Sequence, residues 1–269
     1  MNAEKHISRI EQVGIYTKKC FRIFKYKKGY KVFFSVALIM LLICAVTGDE
    51  MFVEADATRN GSFAIMSACI WIGIFNSIRS ICKEREILKR EHRTGLHISA
   101  YVISHGIYEA VICLSEAVVV LLFVLGFNFE NFPQEGVFTV PILDFFITYF
   151  LIIFSADTLG IAISSVVKSE NTAMTVMPFA LIIQLVMSGT IFELEGIAKG
   201  ISYFTTSRWG IAAICAVSRI NDLGWFYYNE EYDSTVANLT GHWMYLIIFA
   251  AAGLLISVAS LELIDRDKR

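Results

Sequence analysis

Six long apolar runs decide what this chain can be. They cover about 31–48, 61–80, 99–126, 139–167, 171–192 and 242–264 of its 269 residues. The hydrocarbon core of a bilayer is about 30 Å thick and takes about 20 apolar residues of helix to cross. The reading is an all-α integral membrane protein with six transmembrane helices. The first two runs sit near the short limit, and the fourth is long enough to tilt or bend. The first thirty residues are basic and no small-residue cleavage site follows them, so a cleaved signal peptide is not expected.

The basic residues orient the spans. Of 23 Lys and Arg, nine lie in 1–31, six in 79–97, one at Lys168 and three after Asp265, which puts 19 on one side. Only Arg59, Lys199, Arg208 and Arg219 fall on the other, where Asp49, Glu50, Glu54, Asp56, Glu230, Glu231 and Asp233 gather. Lys and Arg concentrate in cytoplasmic loops, so both termini are expected inside, in the plasma (inner) membrane. The formal net charge of -2 hides this asymmetry. The domain plan is a cytoplasmic N-terminus over 1–30, a six-span unit over 31–264 with an outer loop at 193–241, and a cytoplasmic tail at 265–269.

Within the first segment, Val13, Tyr16, Cys20, Ile23 and Phe24 recur at helical spacing among Lys18, Lys19, Arg22 and Lys25. That pattern fits an amphipathic helix lying in the inner interface against membrane lipid; it fits an ordinary basic preamble to the first span equally well. The outer loop holds the run Ile211–Val217, too short to cross. With Tyr203, Phe204, Trp209 and Trp225 nearby, it reads as short helices dipping into the outer interface. Asn60-Gly-Ser and Asn238-Leu-Thr match the glycosylation triplet, which matters only in a eukaryotic secretory pathway.

Reactive chemistry is scarce. The six cysteines (20, 44, 69, 82, 113 and 215) contain no CxxC and read as small membrane hydrophobes. The five histidines (6, 92, 97, 105 and 242) show no ligand spacing, and neither GxxxxGK[ST] nor GxSxG occurs. No catalytic residue, cofactor, metal site or nucleic-acid partner is expected of this chain. Ionisable groups inside spans are the remaining candidates. Glu109 and Glu116 lie two turns apart on one helix, Asp144 and Asp157 sit in the fourth run, and Gln184 in the fifth needs a partner across a helix interface. Glu109 and Asp157 suit hydrogen bonding between helices, Asp144 suits the outer interface, and Pro178 should kink the fifth span. A relay in which Glu109, Glu116 and Asp157 carry protons is the alternative.

The stretch ICKEREILKREHR, 81–93, packs eight acids and bases plus His92 between two apolar runs. Residues 83–94 can form three helical turns ended by Gly95, with Ser99 capping the next span. Glu84, Ile87, Leu88 and Glu91 then make one stripe, Arg85, Lys89 and Arg93 another, and Glu86 and Arg90 stand one turn apart. Two opposed stripes suit a helix held between a membrane and a cytosolic partner.

The run KEREILKREHRTGLHISAYVISHGIYE, 83–109, resembles the loop between the second and third spans of type-2 ABC transporter permeases of the White-like group, including Tyr101, Ser104 and Glu109. GIAISSVVKSENTAMTVMPFALIIQLVMSGTIFELEG, 160–196, is similar to that family's fourth-to-fifth span passage, above all in bacterial members fused to forkhead-associated domains. ISYFTTSRWGIAAI, 201–214, resembles its outer re-entrant segment. The resemblance covers about 15–264. It implies a permease that forms the substrate pathway as a homo- or heterodimer, with 83–94 as a coupling helix docking on an ATPase subunit that holds ATP and magnesium. It fits export better than uptake. His105 departs from the lysine of many members, and an ATPase segment is missing from the sequence, which implies a separate subunit or a chain encoding only the membrane half. Two other readings stay open: an ion-coupled secondary transporter, and a non-transporting membrane anchor.

The charge asymmetry yields a topology test. In a cysteine-free background, cysteines replacing Glu54 and Asn229 should react with an impermeant maleimide from outside the cell. One replacing Lys168 should react only after permeabilisation, and labelling of intact cells at that position would reject the six-span plan.

Overall fold

The computed structural model describes residues 8–47, 50–224 and 228–263. Among the described residues every regular element is helical. The sequence features at Asp49, Trp225 and the basic tail 265–269 lie outside them.

Helix α1 (Arg9–Tyr26) leads through a turn into α2 (Lys31–Thr47), and their axes differ by 70°. The turn places Lys28 in left-handed backbone (φ 55°), and Gly29 sits under the Phe24 ring, only 2.1 Å from where a Cβ would stand. Then follow α3 (Ala55–Ser77), α4 (Arg85–Arg93) and α5 (Ile98–Phe127). The remaining helices are α6 (Pro141–Val166), α7 (Glu170–Val186), α8 (Gly196–Ser202), α9 (Thr206–Val217) and α10 (Val236–Glu262). Among the described residues a helix covers most of each of the six apolar runs. Four helical stretches, ending at Arg93, Phe127, Val166 and Glu262, are long and apolar enough to cross a bilayer, and the bent α1–α2 pair makes a fifth candidate. At 17 residues each, α2 and α7 are about 26 Å long.

Helix α6 is the hub, packed against α3, α5, α9 and α10. The most apolar windows of the α3 and α6 stretches are 67% and 61% buried, against 39% and 28% for α5 and α10. The outer helices carry the apolar surface that lipid would cover, for instance Leu122, Met244 and Leu255. Lipid tails are as apolar as the side chains, so close fit replaces the hydrophobic effect in holding helices together. Glycine supplies that fit. A Cβ on Gly73 of α3 would stand 2.3 Å from the Ile153 carbonyl oxygen, and one on Gly160 of α6 would stand 2.2 Å from Ser77 Oγ. On the opposite side of α6, Gly253 of α10 brings the Thr158 carbonyl within 2.7 Å of its own missing Cβ.

Helix α9 is covered by protein to a degree its sequence did not announce: Thr206 to Val217 are buried except Trp209, and the helix lodges among α3, α6 and α10. The short, exposed α8, with Ile197, and the following Phe204 are the parts left at the surface. Asp144 stands at the start of α6 and accepts from the backbone amides of Val137, Phe138 and Thr139 at 2.8–3.0 Å and from Thr139 Oγ1 at 2.7 Å, folding the preceding loop over it. Asn60 and Asn238 lie inside helices, and Asn238 Nδ2 donates to the carbonyls of Glu231 and Asp233, so that amide is engaged.

Because the α3–α6 crossing admits no side chain, Gly73→Leu and Gly160→Val should force the helices apart. Overpacking of this kind costs about 1–3 kcal/mol. Both variants should show a lower melting temperature in detergent and less folded protein, whereas Gly126→Ala, with no atom within 4 Å of the added carbon, should match wild type.

Candidate functional site

Helix α4 forms where the sequence places it. It ends at Gly95 (φ 105°), whose amide bonds the His92 carbonyl while the Leu96 amide bonds that of Glu91. Only a residue tolerant of left-handed backbone closes a helix this way. A 3-10 turn, Cys82–Glu84, precedes it. Ser99 does not cap α5; the cap position is His97.

The striping divides differently from the sequence pattern. Leu88 is 1% exposed and enters a cluster with Ile81, Leu96, Tyr101, Ile161 and Leu261. Glu91 turns to α1, accepting from Tyr16 Oη at 2.8 Å with Lys19 Nζ at 3.5 Å. Burial and the Glu91 carboxylate hold the Tyr16 phenol well above its usual pKa, so it stays a donor at physiological pH. Gln12 clasps the end of α4, donating to the Gly95 carbonyl and accepting from the His97 amide. Glu84 accepts from Tyr101 Oη at 3.4 Å. The acidic and apolar stripe is thus turned largely inward. The five apolar residues noted along α1 are all covered at least in part, because α1 packs on α5 rather than laying that face into lipid.

Arg85 has a role its sequence position concealed. Its guanidinium donates to the carbonyls of Ser165 at 2.7 Å and Val167 at 3.3 Å, the end of α6. A cation there meets the partial negative charge of carbonyls that helix geometry leaves unpaired. Ser164 Oγ accepts from the amides of Ile81 and Cys82, both at 3.1 Å. Helix α4 is therefore bolted to α1, α5 and α6. Its outward face is Glu86, Ile87, Arg90 and Arg93, with Lys89 half-buried at its edge, and Ile87 is 50% exposed among those charges. Glu86 and Arg90 form no ion pair with each other.

The intramembrane acids also sort themselves. Glu116 of α5 is bridged by Asn76 Nδ2 of α3 at 2.9 and 2.8 Å. Asn76 escaped attention in the sequence, although the reasoning that singled out Gln184 applies to any amide in a span. Gln184 Oε1 accepts from the Ser207 amide at 3.0 Å, satisfying a free donor at the start of α9. Asp157 contradicts expectation: both carboxyl oxygens are buried with no hydrogen-bond partner, while its backbone carbonyl accepts from Ser77 Oγ at 2.6 Å. Glu109 forms no bond between helices either; it lines a cavity between α1, α3 and α5.

The chain thus combines a bent entry helix, a charged helix bolted to its neighbours and a short buried helix before the last span. Residues 11–217, about three quarters of the chain, match the family model for the ABC-2 type transporter. This chain belongs to the ABC-2 type transporter family. It is the membrane-permease part of such a transporter. It is 27% identical over 225 residues to the ABC transporter ATP-binding/permease protein Rv1747 of Mycobacterium tuberculosis, covering 78% of this chain and 26% of that protein. It is 27% identical over 155 residues to ABC transporter A family member 9 of Arabidopsis thaliana, covering 57% of this chain and 15% of that protein. The ABC-2 chain thus spans about a quarter or less of the length of these relatives.

The Asn76–Glu116 bridge is open to a double-mutant test. Asn76→Val strands a buried acid, which costs about 1–3 kcal/mol, whereas replacing both partners by apolar groups is closer to neutral. For Asn76→Val the melting temperature in detergent should fall by several degrees, and Asn76→Val with Glu116→Leu should recover most of the loss. Additive losses would show that the bridge is not a unit.

Proposed function

We propose that this chain is the permease subunit of an ATP-driven exporter of the plasma membrane, with six spans and both termini cytoplasmic. Its units would be the cytoplasmic and interfacial segment 1–30, the membrane domain 31–264 with its outer loop 193–241, and the tail 265–269. A separate ATPase subunit, carrying ATP and magnesium, docks on the helix within 83–94, and a second permease domain completes the substrate pathway. The 19-to-4 distribution of basic residues supports the orientation. The mycobacterial relative, an ATP-binding/permease protein much longer than the match, supports the ATPase.

The observation that carries the reading is Ile87. An isoleucine 50% exposed among Glu86, Arg90 and Arg93, on the charged end of a membrane protein, is turned away from the chain's own core. It suits the contact of a cytosolic partner, an apolar centre with a polar rim. Everything behind it is fixed: Leu88 in its cluster, Glu84 on α5, Glu91 on α1, Arg85 on α6. A partner that pushes on this face pushes on all three helices together.

Ile87→Asp should weaken docking tenfold or more, because about 1.4 kcal/mol is tenfold in association and a buried unpaired charge costs more than that. Arg90→Ala should change little, since an exposed ion pair contributes at most about 1 kcal/mol. Leu88→Asp should fail differently, by losing folded protein. The readouts are co-purification of a co-expressed ABC ATPase subunit and its substrate-stimulated ATP hydrolysis. An Ile87→Asp variant that inserts, binds and stimulates like wild type would overturn the docking role.

A further inference from the structure

At the inside angle of the α1–α2 elbow the bundle encloses a cavity of about 440 Å³ that opens to the surface. Three cations line it from three separate places: Lys27 just after α1, Arg79 just after α3, and Lys83 in the turn before α4. All three are exposed, and among the described residues none of them forms an ion pair. The neighbouring Lys27 ammonium, ahead of partial burial, holds the Lys83 pKa below the usual lysine range. Two ammonium groups converging on one space, with a guanidinium beside them, are an arrangement that an anion would stabilise.

The remaining lining separates a charged rim from an apolar wall. Phe24, Phe75 and Tyr108 form the wall together with Val32, in the first turn of α2. Phe24 and Tyr108 meet edge to face with centroids 6.2 Å apart, and Phe75 is 48% exposed on the side of α3 that faces away from the bundle. Tyr26 and Tyr30, 81% and 60% exposed, flank the elbow. Exposed aromatics of this kind mark the level of lipid headgroups. Acids share the lining. Glu109, with His105, belongs to the buried floor on α5, while Glu84, engaged by Tyr101, and Glu170, in the first turn of α7, both act on Lys83. Three cations thus face two carboxylates at the rim.

We propose that this cavity binds the phosphate group of a membrane phospholipid, gripped by Lys27, Arg79 and Lys83, with the acyl chains descending along Phe24, Phe75 and Tyr108. Basic pockets between membrane helices at the cytoplasmic side suit anionic headgroups. The inner-leaflet source rests on the orientation proposed above. Binding in detergent reads the cavity whichever way the chain faces, so failure of that orientation in the cysteine-labelling test is distinguishable from failure here. The occupied site would tie the end of α1 to the connection between α3 and α4, and so the lipid would stiffen the same unit that receives the ATPase.

The test uses the full chain, purified in detergent and stripped of lipid, with binding followed by native mass spectrometry and by thermal shift. The probes are phosphatidylglycerol, a diacylglycerol with the same chains but no phosphate, and inorganic phosphate. Phosphatidylglycerol should bind and raise the melting temperature, and diacylglycerol should not. The triple variant Lys27→Gln, Arg79→Gln, Lys83→Gln should bind phosphatidylglycerol at least tenfold more weakly. A control triple, Lys18→Gln, Arg22→Gln, Lys25→Gln, removes the same charge from the exposed face of α1 and should bind like wild type. If the cavity triple fails to fold, Lys83→Gln alone, at an exposed position, should weaken binding at least threefold. Equal binding by the cavity variants and wild type, equal loss in the control, or equal binding of diacylglycerol would each overturn the site. Inorganic phosphate as effective as phosphatidylglycerol would overturn the lipid source.

Discussion

The approach of α3 to α6 is the contact on which the rest of the bundle depends. With no side chain at Gly73 or Gly160, the two backbones come close enough for Ser77 to bond the Asp157 carbonyl directly. In lipid, where exposed apolar surface costs nothing, such close packing and the hydrogen bonds it permits hold helices together. The crossing sets where Asn76 can meet Glu116 on α5 and how α9 fits beside α3 and α6. Two glycines thus define a polar seam through an otherwise apolar interior.

The charged helix shows how one short element is made to belong to three others. Each of its polar residues that points inward has a fixed correspondent: Glu91 with Tyr16 and Lys19, Glu84 with Tyr101, Arg85 with the last carbonyls of α6. Such bonds are directional where apolar packing is not, so the helix keeps its orientation as well as its place. Its outer face is left to a partner, and its inner face spreads whatever load arrives there.

Much of this was legible in the sequence, and the misses share a cause. The six apolar runs, the glycine that ends α4 and the need of Gln184 for a partner follow from hydropathy and backbone rules that act locally. The burial of α9 does not. The run Ile211–Val217 looks the same whether it lies on a membrane surface or inside a bundle, and only the glycine-cut space beside α6 decides. Likewise Glu84, Ile87, Leu88 and Glu91 share a helical stripe, yet tertiary packing sends Leu88 inward and leaves Ile87 out. Asn76 and Arg85 were readable only as polar residues, because their partners, Glu116 and the Ser165 carbonyl, are 40 and 80 residues away.

One geometric consequence belongs to α6. The helix has 26 residues and meets α3 around Ile153 to Gly160, nearer the end that Arg85 grips than the end at Pro141. At 1.5 Å per residue the arms measured from Asp157 are about 14 Å and about 24 Å. A stiff rod tilted about an off-centre fulcrum moves its long arm farther, here by a ratio of about 1.7. A displacement of an ångström applied at the charged end would become about 1.4 Å at Asp144, where α6 meets the folded loop. The placement of two glycines is thus a gear ratio.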